Sequence, residues 1–273
     1  MAEPRKVEQI ALDYQRARAA ADTAAMSRFQ NEEACLVLLA LLERLASEPT
    51  AFVHQVAVKG GILMAGELRS PRVSADIDVT SGHLKRVDSR RAIREVVRAG
   101  RRFNVRADGD AERTTGGEII HLRFDSLTDG GTAKLEISVR EDLVFAVRDA
   151  VFNLTELGIA PFAIPALAEV ELVAEKLRAL VQRAQPRDLF DLRLYLVDSG
   201  WFLDPSDLSR ALAVKLEATR HKRWKPNLWR IHLDEIEDLW ASTLENWILP
   251  AKIPTFDETV AVVDKRLREL RLG

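Results

Sequence analysis

The chain has 273 residues, 47% hydrophobic and 30% charged, a globular composition with enough sequence for one large or two modest domains without covalent staples. Its single cysteine, Cys35, sits in an apolar run and has no partner for an internal disulfide, so nothing asks for an oxidising compartment. No apolar stretch reaches the roughly 18 residues of a membrane span, and the amino terminus lacks the cationic-then-apolar order of a signal peptide. A cytoplasmic protein is expected, and a net charge of −2 gives no whole-chain pull toward nucleic acid.

From residue 7 to about 46, apolar residues recur at helical spacing, most clearly Cys35, Leu38, Leu39, Leu42 and Leu45. They predict two helices broken near residues 22–27. A strand follows at 56–59, then the glycine pair Gly60 and Gly61, then a second strand at 75–79. Gly82 and His83 lead into a strongly basic helix at 84–98, closed by Gly100. Three more strands are expected at 102–106, 119–124 and 132–139, the last two joined by the turn formers Asp129, Gly130 and Gly131. After Glu141 the pattern changes. Extended pieces near 151–154 and 161–164 precede five helices at 166–185, 187–198, 205–219, 233–247 and 257–270. The expected class is α+β, with N-terminal helices and a small mixed sheet in 1–160 and a helical bundle in 161–273.

Chemistry concentrates first in Ser74-Ala75-Asp76-Ile77-Asp78-Val79. A strand there puts Ser74, Asp76 and Asp78 on one face. Two carboxylates side by side repel each other unless a cation lies between them, and hard divalent ions such as magnesium take such oxygen ligands while keeping positions open for phosphate. The strand Lys134-Leu135-Glu136-Ile137-Ser138 repeats the alternation, so Glu136 joins the aspartates if the two strands are neighbours. Three carboxylates on one face suit two metals, one lowering the pKa of an attacking hydroxyl and the other holding a triphosphate. Glu136 is also the candidate general base. Lys59, Gly60 and Gly61 end a strand where bare backbone amides approach phosphate oxygens. Arg69 and Arg72 add positive charge, and the Ser74 hydroxyl has the parity to reach a γ-phosphate.

In the helical half, Val170, Val173, Leu177, Leu180 and Val181 form a buried stripe and leave Lys176 and Arg183 on another face. Asp188, Asp191 and Tyr195 follow at spacings of three and four. This group either binds a triphosphate and positions its nucleoside, or is a structural ion-pair cluster. Two basic clusters are candidate RNA contacts: Lys85, Arg86, Arg90, Arg91, Arg94, Arg98, Arg101 and Arg102, and residues 220–225, where Trp224 and nearby Trp229 are of a type that stacks on unpaired bases. The five histidines have no metal-ligand spacing, which argues against zinc.

Four blocks occur in a fixed order over residues 58–192: Val58-Lys59-Gly60-Gly61, Arg72-x-Ser74-x-Asp76-x-Asp78, Leu135-Glu136-Ile137, and Glu175-Lys176-Leu177-Arg178-Ala179-Leu180 with Arg183 and Arg187-Asp188-Leu189-Phe190-Asp191-Leu192. Together they resemble the AbiEii-type nucleotidyltransferase toxins of bacterial toxin–antitoxin systems, which include the MenT toxins. The resemblance implies a polymerase-β-like nucleotidyltransferase core with a helical C-terminal part, and two magnesium ions on Asp76, Asp78 and Glu136. It implies transfer of a nucleoside monophosphate from a nucleoside triphosphate, CTP or UTP favoured, to the 3′ end of transfer RNA, which blocks aminoacylation. Ser74 and Lys176 join the catalytic set, and Lys59, Gly60, Gly61, Arg72, Ser74, Lys176, Arg183, Arg187, Asp188 and Asp191 form the nucleotide-binding set. A cognate antitoxin, a monomeric state and no membrane partner complete the expectation. The competing functions are nucleotidylation of a protein side chain and a non-catalytic nucleotide- or RNA-binding role.

Overall fold

The computed structural model describes residues 4–81, 87–139, 143–219 and 223–273. Two compact units make up the chain: Met1–Arg140 with Val147–Ala166 and Asn246–Ile248, and Glu141–Ala146 with Leu167–Glu245 and Leu249–Gly273. Among the described residues no helix is long and apolar enough to cross a membrane.

The first unit opens with α1 (Pro4–Ala19) and α2 (Thr23–Ala46). The break falls at its early edge because Asp22 caps α2, its carboxylate accepting from the Ala25 amide at 2.9 Å. From Ala34 to Leu39 every α2 residue is buried, so this helix is core on nearly all sides. It packs on a mixed sheet ordered β3-β5-β6-β2-β1-β8-β7, with β4 paired to β5. The centre of the sheet is β1 (Ala57–Lys59), antiparallel to β2 (Asp76–Thr80), which runs parallel to β6 (Thr132–Ser138). β5 (Gly117–Arg123) extends the sheet beyond β6; β8 (Phe162–Ala166) lies parallel to β1 and antiparallel to β7 (Arg148–Phe152). Val58, Ile77, Val79, Leu135 and Ile137 are buried, as their parity demands.

Three local expectations change. The strand expected at 102–106 is instead a 3-10 turn, Arg101–Phe103, followed by Asn104 in the left-handed region. Of this stretch only β3 (Arg106–Ala107) pairs with β5, on the edge away from β6, and the same edge carries β4 (Glu112–Thr114), a hairpin strand without an apolar signature. The basic helix α4 (Ser89–Ala99) starts where Asp88 accepts from the Arg90 and Arg91 amides, later than expected at 84; residues 84–86 lie outside the described residues. Gly60 and Gly61 do not merely turn the chain but open a short helix, α3 (Gly60–Gly66). As expected, Asp129 and Gly131 turn the β5–β6 connection with positive φ. Buried Glu33 pins that connection to α2 by accepting from Ser126 Oγ at 2.6 Å and the Leu127 amide at 2.7 Å.

The second unit holds α5 (Glu169–Arg183), α6 (Pro186–Arg193) with a π-helical continuation through Leu194–Asp198, α7 (Pro205–Ala218), α8 (Leu233–Leu244) and α9 (Phe256–Glu269). α8 ends before the expected 247 because Asn246–Ile248 belongs to the first unit, where the Trp247 carbonyl accepts from the Val73 amide at 3.2 Å. The interior of the second unit contains a charged pair. Lys215 and Glu171 are both fully buried with Nζ 2.9 Å from Oε2, while Glu171 Oε1 accepts from the Val144 and Phe145 amides. Removing one member strands the other in a low-dielectric interior. Lys215→Ala is therefore expected to cost about 3–5 kcal/mol in chemical denaturation, and Lys215→Met with Glu171→Gln, which keeps an acceptor for both amides, to recover most of it.

Candidate active site

The β1–β2–β6 register sets Lys59 beside Asp78 and Asp78 beside Glu136, one residue from each central strand in a single row. Neighbouring strands lie about 4.8 Å apart. Asp76 shares the face two positions along β2, opposite Lys134, which in turn lies opposite His121 of β5. The carboxylate residues are half-buried, whereas Ile77 and Val79 between and beyond them are sealed in the core. The condition that Glu136 needed, adjacent strands in matching register, is met. Asp76, Asp78 and Glu136 stand along the face without closing on a single point: among the described residues no three His, Cys, Asp or Glu side chains form a ready metal-ligand group.

The glycine pair has a steric reason. Gly60 has φ +75°, and a Cβ there would lie 2.1 Å from Asp78 Oδ2. At Gly61 a Cβ would meet Arg72 Nη2 at 2.6 Å and Ser74 Oγ at 2.7 Å. The first turn of α3 thus presses directly on the aspartate strand, and only glycine permits that approach.

Arg72 and Ser74 occupy the far side of this contact. Both are buried. Ser74 precedes β2, and its Oγ donates to the Asp76 carbonyl at 3.2 Å, so the hydroxyl is engaged with the backbone that presents Asp76. Arg72 lies against Gly61, with Nη1 donating to the Val73 carbonyl at 3.3 Å. Cys35 approaches the same segment from α2; burial pushes its thiol up to about 11, against the lowering effects of the Ser74 backbone and the Arg72 charge. It is a core residue. Arg69 is used elsewhere, pairing with Glu156 and the Asn153 carbonyl.

In the second unit, Lys176 Nζ lies 2.6 Å from Asp191 Oδ2 and 3.3 Å from Asp188 Oδ1. Arg183 forks onto Asp188 with Nε to Oδ2 at 2.7 Å and Nη2 to Oδ1 at 2.8 Å. Both aspartate side chains are fully buried; Lys176 keeps 13% of its side-chain surface and Arg183 48%. Burial acts to raise the Asp188 pKa, but the Lys176 charge and the Arg183 hydrogen bond and charge outweigh it and hold the carboxyl near 2. Arg187, the preceding residue of the same helix, adds to that field. The ion-pair cluster is thus real, with its cationic side the more exposed. Tyr195, taken from the same pattern, is a core residue stacked on Trp201 at 5.0 Å. Trp229 is also fully buried and is not a surface for an unpaired base, while Trp224 Nε1 donates to the Leu272 carbonyl. The cationic residues 220–222 lie outside the described residues.

Residues 40–262 match the model of the family described as nucleotidyl transferase AbiEii toxin, type IV toxin–antitoxin system. The chain belongs to that family. As an AbiEii toxin it is a nucleotidyltransferase, and the matched span contains both the carboxylate strands and the Lys176 cluster. MenT4, a nucleotidyltransferase toxin from Mycobacterium tuberculosis, superposes with TM-score 0.60 at 22% identity, over 93% of this chain and 88% of that one. A putative nucleotidyltransferase from H. pylori gives 0.54 at 17% identity, over 89% and 94%, and JHP933 from Helicobacter pylori gives 0.50 at 17%, over 86% and 88%. At these identities the likeness is one of fold. None of the curated proteins matches the sequence. Lys134 is the neighbour of the AbiEii carboxylates that sequence reasoning left without a role; its pairing with Asp76 needs the β2–β6 register, which no local pattern encodes.

Two outcomes are expected. Gly60→Ala forces the Asp78 carboxylate aside and strains a left-handed backbone, so activity should fall at least about 100-fold, as for a reacting group displaced by an ångström, with a smaller loss of stability. Asp188 has a depressed pKa, so its stabilising contribution is complete above the ordinary carboxylate range and is lost as pH falls from about 4 through about 2. Asp188→Asn should flatten the stability profile in that window and cost about 2 kcal/mol at neutral pH in denaturant titrations.

Proposed function

We propose that this AbiEii toxin transfers a nucleoside monophosphate from CTP or UTP to the 3′ end of transfer RNA, on magnesium held by Asp76, Asp78 and Glu136. The observation that carries the reading is the register contact of Asp78 with Glu136 on adjacent parallel strands, Asp76 sharing their face. The donor set is of the kind magnesium takes, carboxylate oxygens on half-buried residues, with Asp78 and Glu136 at matched register positions where a divalent cation would offset their like charges. When bound, such ions supply Lewis acidity to the triphosphate and to the attacking hydroxyl.

The chain's own residues supply the rest. The acceptor 3′ oxygen forms a bond to the α-phosphorus as the bond to the β-phosphate oxygen breaks, pyrophosphate leaves, and the hydroxyl proton passes to the Glu136 carboxylate. Lys59 stands in the same row as Asp78 and Glu136, where an ammonium offsets phosphate charge, and the Gly60 and Gly61 amides open α3. Arg72 and Ser74, buried under Gly61, hold the geometry of that turn and of the Asp76 backbone. Lys176, Arg183 and Arg187 are phosphate ligands in this reading, kept in place by Asp188 and Asp191. RNA is favoured over a protein acceptor because α4 and its C-terminal turn carry a dense set of exposed arginines. Growth arrest through uncharged transfer RNA and relief by a cognate antitoxin follow from the reading.

Purified protein incubated with magnesium, bulk transfer RNA and each labelled nucleoside triphosphate in turn is expected to label RNA, most strongly from CTP or UTP. Asp78→Ala should lower labelling by about 1,000-fold or more, on the scale of losing transition-state charge stabilisation. Labelling of a protein in place of RNA would overturn the acceptor, and equal labelling by Asp78→Ala would overturn the carboxylate site.

A further inference from the structure

A second feature of the first unit stands apart from the carboxylate face. A cleft of about 640 Å³ lies between the C-terminal end of α2, the end of α4 with its 3-10 turn, and the turn before β8. That volume is in the range of about 300–1,000 Å³ that holds a ligand. Arg44, Arg98, Arg101 and Arg102 line it, opposed by Glu43 and Glu48, and Glu48 is already paired with Arg98. Ile159 and the small side chains around it give an apolar wall, and the Phe103 ring lies there with the Arg102 guanidinium 5.8 Å from its centroid.

The positive charge does not stop at the cleft. Arg90, Arg94 and Arg98 are exposed at intervals of four along α4, so each step advances about 6 Å along one helix face. Residues 88–106 carry seven arginines against only Asp88 and Glu95, in a chain whose net charge is −2. Arg91, Arg98 and Arg106 have Glu95, Glu48 and Asp125 as partners, so the excess charge is carried by the exposed Arg90, Arg94, Arg101 and Arg102, whose mutual repulsion a polyanion lying across them would relieve. A single phosphate or free nucleotide would engage one or two of them, whereas an extended phosphodiester chain engages the file. Planar guanidinium forks bind phosphate in bidentate fashion, and an aromatic ring among them suits an unstacked base.

We infer that this cleft and the arginine file of α4 form the docking surface for the phosphodiester backbone of the RNA acceptor. The inference rests on the acceptor proposed above. It assigns to Arg90, Arg94, Arg98, Arg101 and Arg102 a role in holding RNA and none in holding the nucleoside triphosphate.

The test separates binding from transfer. Full-length wild type and Arg101→Glu/Arg102→Glu are titrated with fluorescently labelled bulk transfer RNA, without nucleotide, at several salt concentrations. The variant should bind at least about 10-fold more weakly, and the slope of log K against log salt should fall by roughly 1.5–2, as expected for two lost phosphate contacts. Its affinity for nucleoside triphosphate should be unchanged. Arg90→Glu/Arg94→Glu gives an independent pair on the open helix face, and melting curves identify whichever variants are folded. Unchanged RNA affinity in a folded variant would overturn the inference, as would loss of antitoxin inhibition with RNA binding intact. Charge-sensitive RNA binding by a wild type that labels no RNA would instead contradict the acceptor and leave the docking surface standing.

Discussion

Like-charged carboxylates held at neighbouring register positions are the constraint around which the first unit is built. Asp78 and Glu136 are direct partners on parallel strands, and Asp76 shares their face. Such an arrangement is electrostatically unfavourable in the absence of a counter-charge, so the rest of the sheet must hold it in place. Ile77, Val79, Leu135 and Ile137 do this from the opposite face through burial in the core, and α2 packs on the sheet with the buried apolar run from Ala34 to Leu39. Lys59 meets Asp78 across the antiparallel pair, and the first turn of α3 closes on Asp78 at Gly60 and on Arg72 and Ser74 at Gly61, which leaves no room for a side chain at either position. Stability and site geometry are set by the same contacts: the hydrophobic half of each central strand fixes where the polar half points.

The second unit also manages buried charge, by pairing. Glu171 and Lys215 are sealed together, and the remaining lone pairs of Glu171 go to two backbone amides. Asp188 and Asp191 are equally buried and satisfied by Lys176 and Arg183. Arg183 supplies Asp188 with two hydrogen bonds, whereas Lys215 and Glu171 meet as a close ion pair at 2.9 Å. The difference is exposure: Lys215 has none, while Lys176 and Arg183 keep part of their surface, which is why only the second cluster is assigned a ligand-binding role.

Much of this was legible in the chain. Alternation in residues 74–79 and 134–138 gave the parity of all three carboxylates, and the spacing of apolar residues in the C-terminal half gave five helices close to their observed bounds. What was not legible depends on contacts distant in sequence. Ser74 has the parity of Asp76 but sits before the strand, its hydroxyl turned to the backbone by the packing of Gly61. Trp229 reads as a free aromatic in a basic loop, yet the helices bury it. Residues 102–106 read as a strand from composition, whereas Gly100 and left-handed Asn104 turn the chain before pairing begins. The return of Trp247 to the segment before Ser74 has no local signal at all.

The central claim is that Asp76, Asp78 and Glu136 act together as the divalent-cation site of a nucleotidyl transfer. Calorimetric titration of magnesium into the protein saturated with a non-hydrolysable nucleoside triphosphate tests it most directly, comparing wild type with Asp76→Asn/Asp78→Asn. The account predicts saturable binding by wild type and its loss in the variant while the fold is retained. Identical magnesium binding by the two proteins would contradict it.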